Sequence, residues 1–306
     1  MDNTVIIGVD HGWSQMKTAR TVFSSGVEEI LSEPAFFDDV LEYDGKYYKV
    51  GTKRDAVMKS KTENDDYYLL TLASMAKEMA IRNMSEAKVI LAAGLPATRY
   101  GAEKKEFIEY LSRNTDIRFK FEQKEYKIQL EKVAVFPQSY AAVADVAGKL
   151  GKEIVAVDIG SWTIDIVPVS IIGKPDEANA STIQEGLITC MRRINRECVR
   201  LYNEKISEET IKQYINTQKT DLEEKYVKII DKNLKAFAVN LFNSLLEEGY
   251  SHNTTNIYFV GGGAMVMKHF GGYEQNNIKY VLDVHANAKG YETLTKMALE
   301  MKARVQ

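Results

Sequence analysis

A strand that ends in Asp-x-Gly and turns back into a second strand occurs twice in this chain, and no other feature constrains the fold as much. The first copy runs from the apolar stretch Val5–Val9 into Asp10-His11-Gly12; the second runs from Ile154–Val157 into Asp158-Ile159-Gly160. The two stand about half a chain apart in a sequence of 306 residues. Short periods of roughly 20–50 residues would mean a solenoid, whereas one long-period duplication points to two similar lobes. A chain of this length has room for two domains.

Other elements fill in around the two copies. Thr18–Phe23 and Glu28–Leu31 read as strands, and Asp44-Gly45 as a hairpin turn leading into Tyr47, Tyr48 and Val50. Tyr67–Asn83 carries a broad apolar helical face through Leu70, Ala73, Ala76 and Ala80. Val89–Ala93 reads as a buried strand stopped by Gly94-Leu95-Pro96, followed by a helix over Ala102–Leu111 and a hairpin of Ile117–Phe121 with Tyr126–Leu130. Val133–Phe136 is expected as a further strand capped by Pro137, and Gln138–Ala147 as an alanine-rich helix. The second copy returns along Thr163–Val169, and helices are expected over Gly186–Asn203, Glu208–Ile215 and Asp221–Glu248. A strand over Ile257–Val260 then meets Gly261-Gly262-Gly263, and a final helix spans Ala288–Lys302. Strands alternating with helices give an α/β fold.

Taken singly, an Asp-x-Gly is an ordinary turn. Here each carboxylate sits where a buried strand emerges, followed by glycine and small polar donors: Ser14 in the first copy, Ser161 and Thr163 in the second. Glycine lets backbone N–H groups approach phosphate oxygens without a Cβ in the way. Two carboxylates from the two copies suit Mg²⁺, which takes oxygen ligands and keeps several waters. Lys17 follows the first turn and can bring positive charge to a β- or γ-phosphate; its alternative is a solvated strand-end lysine. The strand–triple glycine–helix start at Phe259–Ala264 lets backbone and helix dipole come close to a nucleotide, although a plain tight turn reads the same way.

These segments, in order, resemble a known superfamily. VIIGVDHGWSQMK resembles the phosphate-1 hairpin of the actin, heat-shock chaperone and sugar kinase superfamily, and IVAVDIGSWTIDIV its phosphate-2 hairpin. IYFVGGGAMVM resembles the adenosine motif, and VAVFPQSYAAVADV and HANAKGYETL the two connecting helices. GLPATRYG and Glu185-Gly186-Leu187 resemble segments of the ParM (StbA) plasmid-segregation actins. The resemblance implies an actin-like, ribonuclease H-like fold of two lobes with nucleotide in the cleft between them, residues 1–150 plus 287–306 forming lobe I and 151–286 lobe II. It implies that Asp10 and Asp158 hold Mg²⁺, partly through water, and act in catalysis with Gln138, which positions the attacking water. Gly12, Trp13, Ser14, Lys17, Gly160, Ser161, Trp162 and Thr163 would meet the phosphates, with Glu185 and Gly186 near the ribose and Gly261, Gly262 and Gly263 bordering the adenosine. Gln138 departs from the Glu that follows the proline in the best-known ParM pattern, and glutamine orients water without removing its proton. Trp13 and Trp162 are bulkier than the residues usual in these hairpins. The implied activity is hydrolysis of ATP, with GTP as an alternative nucleotide, controlling a head-to-tail filament coupled to plasmid DNA by a DNA-binding adaptor. A small-molecule kinase of the same superfamily and an ATP-binding scaffold that does not hydrolyse are the competing readings.

Composition closes off other classes. A net charge of −3 gives no general basic field for nucleic acid, so no direct nucleic-acid contact is expected. The two cysteines, Cys190 and Cys198, have neither zinc-pair spacing nor enough thiols for a disulfide scaffold, which fits a reducing cytoplasm. No apolar run of about 18 residues is present, so no membrane span is expected. The histidines His11, His252, His269 and His285 show no helical zinc-ligand pair. Arg192, Arg193 and Arg196 lie at helical spacing; they read as a solvated helix face with its own ion pairs, with contact to adenine or ribose as the alternative. The stripe from Leu222 through Ile229, Leu234 and Leu241 to Leu245 reads as the core face of a helix.

Overall fold

Val5–Val9 is apolar at every position but one because it lies inside a sheet covered on both faces, and the rest of the first unit is built around it. The computed structural model describes residues 4–52 and 60–305. The chain divides into two compact units: Met1–Asp145 with His285–Gln306, and Val146–Val284.

In the first unit, β1 (Thr4–His11) is central. It pairs antiparallel with β2 (Gln15–Thr18), which continues into β3 (Val22–Ser24), and parallel with β7 (Glu86–Leu95). Beyond β7 lies β9 (Lys124–Pro137), again parallel, then β8 (Asp116–Phe121), β5 (Val40–Tyr43), β6 (Lys46–Thr52) and β4 (Gly26–Ile30), making a nine-stranded sheet. The β5–β6 turn is Asp44-Gly45, both with positive φ (51° and 73°), the type I′ geometry that matches strand twist. Helix α1 (Asp66–Ile81) packs Tyr67, Leu70, Ala73, Met75 and Met79 into a core shared with Ile7, Val9, Leu91 and Phe107. Helix α2 (Ala97–Leu111) packs on β7 and β9, and α8 (Ala286–Val305) on β1 and β7.

The chain leaves this unit within α3 (Tyr140–Leu150) and returns just before α8. The second unit repeats the central motif. β10 (Ile154–Ile159) pairs antiparallel with β11 (Ile164–Val169) and parallel with β13 (Ile257–Val260). Short β12 (Ser181–Ile183) and β14 (Ile278–Tyr280) close the edges of a five-stranded sheet. Helices α4 (Leu187–Tyr202), α5 (Glu208–Thr217), α6 (Glu224–Glu247) and α7 (Ala264–Phe270) supply its core. The expected apolar stripe is that core face: Ile229, Ile230, Leu234, Leu241 and Leu245 are all buried. Cys190 and Cys198 are buried free thiols, and burial pushes Cys190 up to about 12, which leaves it inert.

Four expectations are corrected. Thr18–Phe23 is not one strand: Arg20 N–H and Thr21 N–H both bond the Thr18 hydroxyl, breaking the ladder between β2 and β3. β7 runs on through Gly94-Leu95, which stay paired to Phe136 and Pro137. Tyr126–Leu130 and Val133–Phe136 are one strand, because the register shift opposite Val89 and Ile90 is absorbed by a bulge at Glu131. Gln138 lies before α3, in a turn whose next residue, Ser139, has φ 64° and is held by its N–H on Asn287 Oδ1 at 3.1 Å.

Candidate functional site

In the first unit the expected site residues converge on one carboxylate. Asp10 is 4% exposed at the end of β1, and its ladder partner across the hairpin is Lys17. Lys17 Nζ lies 3.3 Å from Asp10 Oδ2, and Gln138 Nε2 donates to Asp10 Oδ1 at 3.0 Å. Burial alone would raise the Asp10 carboxyl; the ammonium groups of Lys17 and Lys61 outweigh it and hold the group below its ordinary range. Gln138 is placed by its own N–H on Leu95 carbonyl at 2.8 Å. With Nε2 on Asp10, Gln138 Oε1 is left as an acceptor for a water hydrogen. His11 Nε2 meets Thr71 Oγ1 at 2.8 Å, and that hydroxyl donates onward to the Tyr67 carbonyl. Burial, with Lys61 nearby, drives His11 down to about 3, so it is neutral.

The hairpin tips of the two units share a backbone arrangement. In the first, the carbonyls of Gly12, Trp13 and Ser14 accept from Tyr67 Oη (3.3 Å), Ser25 Oγ (2.6 Å) and Ser25 N–H (3.2 Å). In the second, the carbonyls of Gly160, Ser161 and Trp162 accept from the N–H groups of Leu187 (3.1 Å), Ile188 (2.9 Å) and Gly186 (2.9 Å), at the start of α4. In a planar trans peptide the N–H of the next residue points opposite to the carbonyl. The N–H groups of Trp13 and Ser14, and of Ser161, Trp162 and Thr163, are therefore turned away from the protein groups that bind the carbonyls. Such successive outward amides make an anion-binding concavity. The indoles stay out of it: Trp13 packs edge-on to Tyr67, and Trp162 lies under the Arg192 guanidinium at 4.7 Å.

The glycines of the second unit serve packing around the second tip. A Cβ on Gly186 would fall 2.6 Å from Ser161 carbonyl oxygen, so Gly186 lets α4 close on the hairpin. Gly261 has φ 79°, and a Cβ there would lie 2.1 Å from Asp158 Oδ1; on Gly263 it would lie 2.2 Å from Ile159 Cγ2. Gly262 faces open space. β13 thus brings the triple glycine directly against the Asp158 carboxylate. Helix α7 has only seven residues, so its dipole adds little. Glu185 is exposed and pairs with Arg193 at 2.6 Å. The arginine face is thus the solvated helix face expected there, with its own ion pair: Arg192 and Arg196 are exposed, and Arg192 also stacks on Trp162. Lys61, Ser25 and Tyr67 were not singled out in the sequence as site residues; their spacing to Asp10 carries no motif, and only the fold brings them there.

A unit whose central strand ends in an aspartate, turns back through an antiparallel hairpin and pairs parallel with a later strand is built twice in this chain. Residues 8–140 match the family model of the actin-like protein N-terminal domain, a segment that holds Asp10, Lys17 and Gln138. Across nearly the whole chain the fold is that of solved actin-like proteins. Alp7A superposes with a TM-score of 0.75 at 18% identity, covering 99% of this chain and 100% of that one. ParM from Bacillus thuringiensis, solved with ATP, gives 0.74 at 14% identity over 97% and 100%. The 15-stranded ParM filament from Clostridium botulinum gives 0.73 at 18% over 96% and 99%. No curated protein matches the chain. The fold is the one that the resemblance to ParM-type actins implied.

Proposed function

We propose that this chain is an actin-like ATPase whose bound nucleotide controls its own polymerisation. The observation that carries this reading is the pair of hairpins, each with inward carbonyls, outward amides and one strand-end aspartate. In this reading the two units are lobes I and II, and each hairpin is a nucleotide-phosphate binding element.

The donor set fits Mg²⁺. The hairpins offer Asp10 in the first unit and Asp158, with Asp165 opposite it, in the second, and among the described residues no group of three or more His, Cys, Asp or Glu could form an all-protein cage. Mg²⁺ typically binds through one or two carboxylates plus phosphate oxygens and waters, and when bound it neutralises phosphate charge. Asp10 and Asp158 would hold it. Asp10 is already ionised, so no proton must leave before a cation binds. The amides of Trp13, Ser14, Ser161, Trp162 and Thr163, shaped by Gly12 and Gly160, donate to phosphate oxygens, and Lys17 adds charge. Gly261 to Gly263 border the adenosine, with Gly186 and the Glu185–Arg193 pair on the ribose side. Gln138, pinned through Nε2, orients the attacking water through Oε1; having no basicity, it leaves the water's proton to be lost late, to phosphate or solvent.

A ParM solved with ATP and another solved as a filament support nucleotide binding and self-assembly; in this reading the polymer is head-to-tail, controlled by nucleotide, and cytoplasmic. A DNA-binding adaptor coupling the filament to plasmid DNA completes the reading; direct contact with nucleic acid does not form part of it. Among the described residues no helix is long and apolar enough to cross a membrane.

Light scattering and pelleting in Mg-ATP, Mg-GTP, Mg-ADP and EDTA, with phosphate release followed in parallel, test the proposal. Sedimentable polymer should form in a Mg-triphosphate and disperse as phosphate is released. Absence of polymer in every condition would remove the filament reading, and turnover that requires an added sugar would establish a kinase instead.

A further inference from the structure

Lys61 is a lysine whose side chain is almost wholly inside the first unit, with 5% of the residue exposed. It stands in the segment just before α1. Its place is fixed on both sides: Ser60 Oγ meets Thr62 Oγ1 at 2.8 Å and Thr62 N–H at 3.3 Å, and the Thr62 hydroxyl bonds Glu106 on α2. The ammonium donates to the Gly94 carbonyl at 3.1 Å and lies 5.7 Å from the centroid of the Phe107 ring, whose edge contacts His11.

Gly94 carries the argument from position to role. The parallel strands β1 and β7 are in register through Val9 and Ala93, so Gly94 stands beside Asp10. The next carbonyl on β7, Leu95, accepts the N–H of Gln138. Lys61 and Gln138 are thus anchored on consecutive carbonyls of one strand, and both act on Asp10: Gln138 by a hydrogen bond, Lys61 through its charge. This is the carboxyl end of parallel strands, where α/β sheets bind their ligands. Lys17 from β2 and Lys61 from before α1 therefore bring two cations to one carboxylate, beside outward-facing amides.

We infer that Lys61 is a phosphate-binding residue of this site, its ammonium directed to the terminal phosphate, next to the water held by Gln138. This rests on the nucleotide reading above and deepens it. The terminal phosphate is singled out because Gln138, the water-orienting group, shares the same strand end. A lysine that merely supported β7 would serve no ligand; it would only close a backbone carbonyl, and a neutral side chain of similar length would cost the fold little.

The test measures the affinity of the full chain for Mg-ATP, Mg-ADP and adenosine by calorimetry, with thermal unfolding of the nucleotide-free protein, in wild type, Lys61→Met and Lys61→Arg. Losing one charged hydrogen bond, Lys61→Met should weaken Mg-ATP by about 10- to 100-fold, weaken Mg-ADP less and leave adenosine unchanged. Its nucleotide-free melting temperature should stay the same or rise, because no ammonium is buried. Lys61→Arg, which keeps the charge, should recover part of the ATP affinity. Unchanged Mg-ATP binding in Lys61→Met overturns the inference, as does an equal loss of all three ligands with a lowered melting temperature. A wild type that binds none of the three sinks the nucleotide reading itself, and this inference with it.

Discussion

Gly261→Ala isolates the contact on which the second hairpin depends. Two costs follow from the structure. Alanine must adopt φ near 79°, which costs roughly 1–2 kcal/mol for a residue with a Cβ. The new methyl would also stand 2.1 Å from Asp158 Oδ1, so the carboxylate must retreat by about 1.3 Å to reach ordinary contact at 3.4 Å. A misplacement of about 1 Å in a positioned group costs about 10²-fold in function. Gly261→Ala should therefore lower the melting temperature by only about 3–8 °C while weakening Mg-ATP about 100-fold. Gly101→Ala, on the exposed side of α2, is the control: nothing lies within 4 Å of its Cβ and its φ is ordinary, so stability should change by no more than about 1 kcal/mol and affinity should hold. Calorimetric titration with Mg-ATP, alongside thermal unfolding without nucleotide, reads both terms. If the two variants weaken binding equally, or Gly261→Ala lowers stability with affinity intact, the placement of Asp158 against the triple glycine is not what binds nucleotide.

Asp158→Ala should abolish nucleotide-dependent turnover, read as phosphate release, and with it the ATP-induced pelleting. Gln138→Ala should slow phosphate release about 10²-fold while nucleotide affinity barely changes, a split that single-turnover kinetics with a binding titration will show. His11 gives a pH signature: its folded value, about 3, lies below its unfolded value near 6.5. Between those limits the unfolded chain binds more protons, so stability falls as pH falls, by about 1.4 kcal/mol per unit from this group. Urea denaturation from pH 6.5 to 4.5 should show His11→Phe, which fits between Tyr67 and Phe107, with a shallower slope than wild type; parallel curves would contradict the buried neutral imidazole.

How much of this was legible in the sequence depends on how local each feature is. The strand-end aspartates, the glycines after them and the helical stripe of α6 are readable because a strand or helix imprints its period on neighbouring residues. The two-unit division at α3 and α8 follows the duplication. Boundaries failed where long-range pairing overrode a local signal. Gly94-Leu95-Pro96 looks like a stop, yet β9 keeps Gly94 and Leu95 in the ladder, and Glu131 looks like a break but is a bulge. Gln138 reads as helical from the alanines after it, whereas the positive φ of Ser139 is set by Asn287, 148 residues away. Lys61 left no trace, since nothing near it in sequence announces that its ammonium ends on the Gly94 carbonyl. Ser25 and Tyr67 are similar: an ordinary serine and a core-facing tyrosine become the clamp on the first hairpin only through tertiary contact.

At the strand-end aspartate the two hairpin ladders differ in the charge of the opposing residue. Across the first hairpin Asp10 faces Lys17; across the second, Asp158 faces Asp165. Directly opposed residues stand about 5 Å apart at Cβ, where opposite charges stabilise a ladder and like charges weaken it. The first aspartate therefore has a cation supplied by its own hairpin and is held ionised. In the second, the opposing position adds negative charge, partly met by the hydroxyls of Thr182 at 2.7 Å and Thr163 at 3.4 Å. A divalent cation arriving with a nucleotide gains most where negative charge is stacked and least where a lysine already stands. In the proposed reading, where both aspartates hold the metal and both tips donate amides to phosphate, Lys17 makes the first hairpin the more favourable of the two for phosphate charge, and the opposed Asp158 and Asp165 make the second the more favourable for the metal.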